Sequence, residues 1–256
     1  MILLIGGQGF VGSAFSRLLT HRGIAHASIT RETYARAAGG AGTVLINASA
    51  NSRKYLADHD WPADFEASVA SVVRTIRDFR ADLYVLLSSV DVYNVLDDPG
   101  QNGEDAVIDP LRLSTYGFHK YVAEACVRRH APRWLIVRLA GMVGPGLKKN
   151  PVFDVLHGRP LSIHPDSQYQ FMSTDAAARA VWLLVDSGCS NRVVNVCGRG
   201  LISPREIAQL AGKPVVVAPE AEAAQPRIVH VNTRLAASMV DLPDTRATIT
   251  ELIGRA

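Results

Sequence analysis

The chain has 256 residues, 48% of them hydrophobic and 20% charged, with a formal net charge of +3. That composition describes a chain that builds a core and excludes a disordered one, and its length fits one large α/β domain or a domain with a smaller lobe. The positive charge is not gathered into a block ("VRRHAPR" and "LKKN" are the densest basic spots), so nucleic acid is not an expected partner.

"ILLIGG" is a short apolar run ending in glycine and predicts a buried first strand. No basic stretch precedes it, so it does not read as a signal peptide. Phe10, Phe15, Leu18 and Leu19 in the following "FVGSAFSRLLTHRG" keep helical spacing. "IAHASIT", "TVLINAS", "LYVLLSS" and "WLIVRLAG" predict further strands, most of them apolar nearly throughout, as parallel strands covered on both faces are. Helices are expected over 64–79 and 115–130. Beyond "GMVGPGLKKNP" the sequence predicts a short helix in "PVFDVLHG", a clear one in "STDAAARAVWLLVDSG", a strand in "RVVNVCG", a helix capped at Ser203 in "SPREIAQLAG" and a strand in "KPVVVAP". "PEAEAAQP" reads as a flexible connection. Cys126, Cys189 and Cys197 lack metal-type spacing and read as buried free thiols of a reducing compartment. No apolar run approaches the ~18 residues of a membrane span. A cytoplasmic protein without a membrane partner is expected.

Strands alternating with helices predict an α/β fold, a doubly wound parallel sheet of the Rossmann kind with a small C-terminal α/β lobe. Gly6, Gly9 and Gly12, with Phe10 and Val11 between the last two, lie where the first strand meets the first helix. Such a turn lets backbone amides and a helix N-terminus approach a pyrophosphate. Residues 1–145 are therefore expected to form a dinucleotide-binding domain, with a return strand near 192–197, and residues 146–256 a substrate-binding lobe. The end of the second strand carries Thr30 and Arg31, with no acidic residue before Glu32. An arginine there accommodates the 2′-phosphate of NADP, so NADP(H) is favoured and NAD(H) remains possible.

"LYVLLSSVDVY" ends a buried strand in Ser88 and Ser89, at the edge of the sheet where ligands sit. Tyr116 and Lys120 follow one helical turn apart in "STYGFHKYVAE". A tyrosine moves a proton to or from a substrate oxygen once its pKa is drawn toward neutrality, and a neighbouring ammonium draws it that way. A serine hydroxyl can hold the substrate oxygen beside the phenol.

The combination of "GGQGFVG", "INASA", "SSVDVY", "YGFHK", "VRLAGMVGPG" and "VVNV" resembles the extended short-chain dehydrogenase/reductase family of sugar-nucleotide epimerases, dehydratases and reductases. The resemblance implies that Ser89, Tyr116 and Lys120 form the catalytic triad, with Lys120 also binding the nicotinamide ribose. It further implies that Asn47, Ala48 and Ser49 line the cofactor and that Leu139 to Met142 pass the nicotinamide. "TRET" looks most like the NADP-using deoxysugar reductases and epimerases. Val90 cannot donate a proton where the related dehydratases carry an acid, which argues against dehydration.

His119 stands where the family usually has serine and reads as a structural substitution. The dozen residues between Arg31 and the next strand leave little room for one of the family's usual strands. Asp91, Lys149, Asn150 and Gln170 are candidate substrate contacts; a cap for Asp91 and a solvated loop around Lys149 are the competing readings. The expected activity is hydride transfer to or from a sugar carbon, on a nucleotide-linked keto-deoxysugar. A nucleotide-sugar epimerase is the nearest alternative, and a catalytically idle NADP-binding sensor the alternative of another class. The resemblance also implies a homodimer paired through helices 64–79 and 115–130.

Overall fold

The computed structural model describes residues 1–51 and 54–255. In chain order its elements are β1 (Ile2–Ile5), α1 (Gly12–His21), β2 (His26–Ile29), α2 (Tyr34–Ala37), β3 (Ala41–Asn47), α3 (Lys54–His59), α4 (Trp61–Phe65), α5 (Ser71–Asp78), β4 (Arg80–Ser89), α6 (Thr115–His130) and β5 (Trp134–Leu139). They continue as β6 (Gly141–Val143), α7 (Pro151–Leu156), β7 (Gln168–Tyr169), β8 (Phe171–Ser173), α8 (Thr174–Asp186), β9 (Arg192–Val196), α9 (Pro204–Ala211), α10 (Pro219–Glu222), β10 (Ile228–Val229), α11 (Arg234–Ala237) and α12 (Thr245–Gly254).

A six-stranded sheet in the order β2-β1-β3-β4-β5-β9, all parallel, forms the centre. Strand order reverses between β1 and β3, and in such sheets the crevice beyond the strand C-termini at that point is where ligands bind. Both faces are covered. Phe15 and Leu19 of α1 and Val181 and Leu184 of α8 pack on one face. Val72 of α5 and Ala123 and Val127 of α6 pack on the other. Only the short α2 lies between β2 and β3, so β2 is a sheet edge, as the short spacing after Arg31 leads one to expect.

Four expectations need correction. The helix expected over 64–79 is α4 and α5 joined through a π-helical turn, Glu66–Ala70, because hydrophobic spacing does not register one inserted residue. "KPVVVAP" makes only one bridge, Val217 with Leu161, since it finds a single short backbone neighbour. "PEAEAAQP" contains α10, which starts at Pro219 and buries Ala221. Among the cysteines, Cys189 and Cys197 are buried but Cys126 on α6 is only half-buried. The C-terminal elements have their own apolar cluster, including Val152, Leu161, Phe171, Ile207 and Ile249. The capping box of Ser203 and Glu206 starts α9 there.

Candidate active site

The glycine turn has the shape that a dinucleotide requires. Gly6 sits at φ +77, and a Cβ on Gly12 would lie 2.1 Å from the Gly6 carbonyl oxygen, so α1 begins where only glycine fits. α1 has no side-chain N-cap; in its first turn the Ser13 and Ala14 amides donate to Gly9 O and Val11 O, and its N-terminus faces the glycine turn with the positive end of its dipole. Phe10 and Val11 pack on the core beneath the turn. At the end of β2, Arg31 is exposed. Thr30 donates its hydroxyl hydrogen to Glu32 at 2.6 Å, which draws that carboxylate to the strand end. The sequence reading did not anticipate that acceptor.

Ser89 closes β4, and Tyr116 lies in the first turn of α6, whose N-cap Ser114 accepts from the Gly117 amide at 3.2 Å. Gly117 brings the two together: a Cβ there would stand 2.3 Å from the Asp91 carbonyl oxygen. The Tyr116 ring is buried, Ser89 lies beside its phenol, and the Lys120 ammonium lies 5.8 Å from the ring centre. The structure thus gathers the three residues of the expected triad. The expected lowering of the tyrosine is not observed. Burial, and then the Asp91 carboxylate, hold the phenol above its usual value, against the Ser89 hydrogen bond. Lys120 is buried too; desolvation brings its ammonium down to about 8, opposed first by Asp64 and then by Glu124 and Asp91.

Charges that no local motif announces surround these residues. The Asp91 carboxylate is nearly buried. It accepts from Ser89 Oγ at 2.7 Å, pairs with Lys54 of α3 and meets Arg227 Nη2, just ahead of β10, at 3.2 Å. Burial alone would raise its pKa, but Lys54, Ser89 and Arg227 hold it below the ordinary value. Lys54 Nζ also sits 5.7 Å from the Tyr116 ring centre. One turn beyond Lys120, Glu124 is fully buried, accepts from Ser88 Oγ at 2.6 Å and takes a two-pronged pair from the fully buried Arg138 at 3.0 and 2.7 Å. His119 Nδ1 lies 2.6 Å from Asp64 Oδ2, with both side chains buried.

Sequence reasoning missed Lys54, Asp64, Glu124, Arg138 and Arg227. The only available signal was a charge inside two otherwise apolar patterns, Arg138 in "WLIVRLAG" and Glu124 in α6.

Other candidate residues turn away from the crevice. The Asn47 amide group is buried, donating to Thr75 and Tyr84 at 3.1 and 2.7 Å and accepting from Ser49 Oγ at 2.6 Å. The backbone of Ala48 and Ser49 does face the glycine turn, about where a Gly6 Cβ would meet it at 3.1 Å. Gln170 is spent on backbone, reaching Gly198 O at 3.0 Å and Val231 N at 2.7 Å, so its amide ties segments together. Asn150, at φ 146, caps α7 through the Phe153 amide and donates to Met142 O at 3.0 Å. Lys149 beside it is exposed, and Leu139 and Met142 are buried at the end of β5 and in β6.

A parallel sheet with a glycine-rich β1–α1 turn, and a serine, tyrosine and lysine beyond β4, define the extended short-chain dehydrogenase/reductase class of NAD(P)-dependent enzymes. Within it the chain belongs to the NAD dependent epimerase/dehydratase family, whose sequence profile matches residues 43–197, more than half the chain. No curated protein sequence matches significantly. Solved structures share the fold at low identity. MoeE5 in complex with UDP-glucuronic acid and NAD superposes with a TM-score of 0.81 at 20% identity, over 99% of each chain. RMD from Pseudomonas aeruginosa complexed with NADPH gives 0.81 at 16%, over 100% of this chain and 99% of that one. A dTDP-4-dehydrorhamnose reductase from Clostridium acetobutylicum gives 0.79 at 18%, over 99% and 98%.

Proposed function

We propose that the protein is an NADP(H)-dependent reductase of a nucleotide-linked keto-sugar, with Tyr116 as proton donor. The observation that carries this reading is the buried Tyr116, with Ser89 beside its phenol and the Lys120 ammonium 5.8 Å from its ring centre. The residues fit a dinucleotide: the turn from Gly6 to Gly12 would hold its pyrophosphate, Thr30 and Arg31 its adenosine ribose, and Lys120 its nicotinamide ribose. The nicotinamide, when bound, supplies or takes the hydride. The chain's own residues do the rest. Ser89 turns its hydroxyl from Asp91 toward the substrate oxygen and fixes it against the phenol. Tyr116, a phenol protonated at neutral pH, gives its proton to that oxygen. Lys120 stabilises the phenolate left behind. The reductase is preferred because Thr30 and Arg31 at the end of β2 suit the 2′-phosphate of NADP(H).

Tyr116→Phe tests the assignment. It is expected to cut turnover by about 100-fold or more, the usual contribution of a positioned acid, while cofactor binding persists. Unchanged turnover would remove Tyr116 from the chemistry.

A second reading, an NAD(H)-retaining epimerase, is favoured by one observation: the Glu32 carboxylate drawn to Thr30 is an acceptor of the kind that binds an unphosphorylated ribose. Stoichiometric cofactor surviving gel filtration would favour it. We also propose a homodimer. A groove of about 440 Å³ runs along the outer face of α6, lined by Phe118, Val122, Ala125 and Cys126, with apolar surface suited to a second copy. Light scattering should give twice the chain mass.

A further inference from the structure

Ser89 meets the crevice with its hydroxyl already committed. Its Oγ donates to Asp91 Oδ2 at 2.7 Å and accepts from the Asp91 amide at 3.2 Å. A hydroxyl carries one hydrogen, so a substrate carbonyl obtains it only by taking it from a carboxylate. Asp91 is 8% exposed, and a buried carboxylate deprived of a donor is costly. Lys54 of α3 and Arg227 ahead of β10 both pair with it, so it stands ionised and accepts without donating. Whatever relieves Ser89 must therefore bring a hydrogen-bond donor of its own.

The spacing of the two oxygens selects that donor. Ser89 Oγ and Asp91 Oδ2, 2.7 Å apart, place a donor beside an acceptor. On a sugar, a carbonyl oxygen and the hydroxyl of the adjacent carbon stand about one hydrogen-bond length apart, an acceptor beside a donor. The two pairs match. On binding, the Ser89 hydrogen turns about the Cβ–Oγ bond to the carbonyl, while the Asp91 amide keeps Oγ in place. The neighbouring hydroxyl then donates to Oδ2, and the carboxylate is left with as many donors as before. Lys54 Nζ, bonded to Asp91 and 5.7 Å from the Tyr116 ring centre, keeps that carboxylate near the phenol. A ketone flanked by methylene groups offers no such exchange.

We infer that Asp91 determines specificity by accepting a hydroxyl on the carbon next to the keto carbon, so that the crevice takes α-hydroxy ketones. This deepens, and rests on, the reading of the protein as a keto-sugar reductase with Ser89 at the substrate oxygen.

The test measures kcat/KM with NADPH for UDP- and dTDP-linked 4-keto-6-deoxyglucose, each beside its 3-deoxy counterpart. The parent protein should prefer the hydroxylated form about 100-fold, since a site that hydrogen-bonds a hydroxyl rejects the analogue lacking it. Asp91→Ala should bring the hydroxylated form down to the deoxy form, leaving a preference of about 3-fold or less. Ser89→Ala should slow both forms alike and keep the preference. Each preference is a ratio within one variant, so a change in net charge or in the folded fraction cancels. Equal turnover of the two forms by the parent protein overturns the inference, even if Asp91→Ala does not fold. A preference that survives Asp91→Ala overturns it as well. If neither hydroxylated form is turned over, it is the keto-sugar reading that fails, and the inference falls with it.

Discussion

The two halves of the crevice are built on different principles. At the β1–α1 turn the work is done by backbone shape: Gly6 at φ +77 and a Gly12 with no space for a Cβ open a path to amides. Around Tyr116 it is done by charge. Lys54, Asp64, Asp91, Glu124, Arg138 and Arg227 arrive from distant parts of the chain and pair there, while burial, opposed or aided by Asp64, Asp91 and Glu124, shifts Tyr116 and Lys120. The first half tolerates almost no change of geometry; the second should tolerate shape and respond to charge.

The largest expected effect lies in the charged half. Arg138→Met leaves Glu124 buried without its partner, a loss of about 3–5 kcal/mol, which should lower Tm by roughly 10 °C in a chain of this size. A Tm within a degree or two of the parent would show that the pair does not hold this half together. Gly12→Ala should come next. Its Cβ must displace the Gly6 carbonyl, so calorimetry should show cofactor affinity reduced by about 100-fold, roughly 3 kcal/mol. Undiminished affinity would refute the shape-based account of the turn.

Lys120→Met separates function from stability. In the folded protein the ammonium titrates near 8, below its ordinary value, so between about pH 8 and 10.5 the unfolded chain binds more protons and stability rises with pH. Below pH 8 the buried charge is a constant cost. Removing it should raise Tm modestly and flatten the rise between pH 8 and 10.5 while turnover collapses. A Tm that falls would mean that Lys120 is compensated in full. The smallest effect belongs to the exposed strand end. Arg31→Ala should weaken NADP(H) about 10-fold and NAD(H) hardly at all, whereas Glu32→Gln should weaken NAD(H). Equal effects of Arg31→Ala on both would remove it from cofactor choice.

Legibility follows the same division. β1, β3 and β4 could be read because parallel strands buried on both faces are continuous apolar runs, and α6 because a long helical stretch separates two such runs. Tyr116, Lys120 and the glycines could be read because spacing within one turn carries their meaning. Asp64 and Arg227 could not, since nothing near them in the chain reveals that they end beside His119 and Asp91. The bonds that Gln170 and Asn47 make within the protein were hidden for a related reason. A polar side chain at a strand end looks the same whether it faces a ligand or, as here, satisfies buried backbone and side-chain groups.

The π turn at Glu66–Ala70 also bears on how this sequence can change in length. It separates Asp64, which faces His119, from Val72 and Thr75, which seat α5 on the sheet. Each residue of a helix turns its successor by about 100°, so deleting one residue here would restore a regular helix yet swing Asp64 off its histidine. A variant shortened by one residue would therefore gain helix regularity and lose the carboxylate beside His119. The phase of a single backbone turn would then govern the chemistry two helices share.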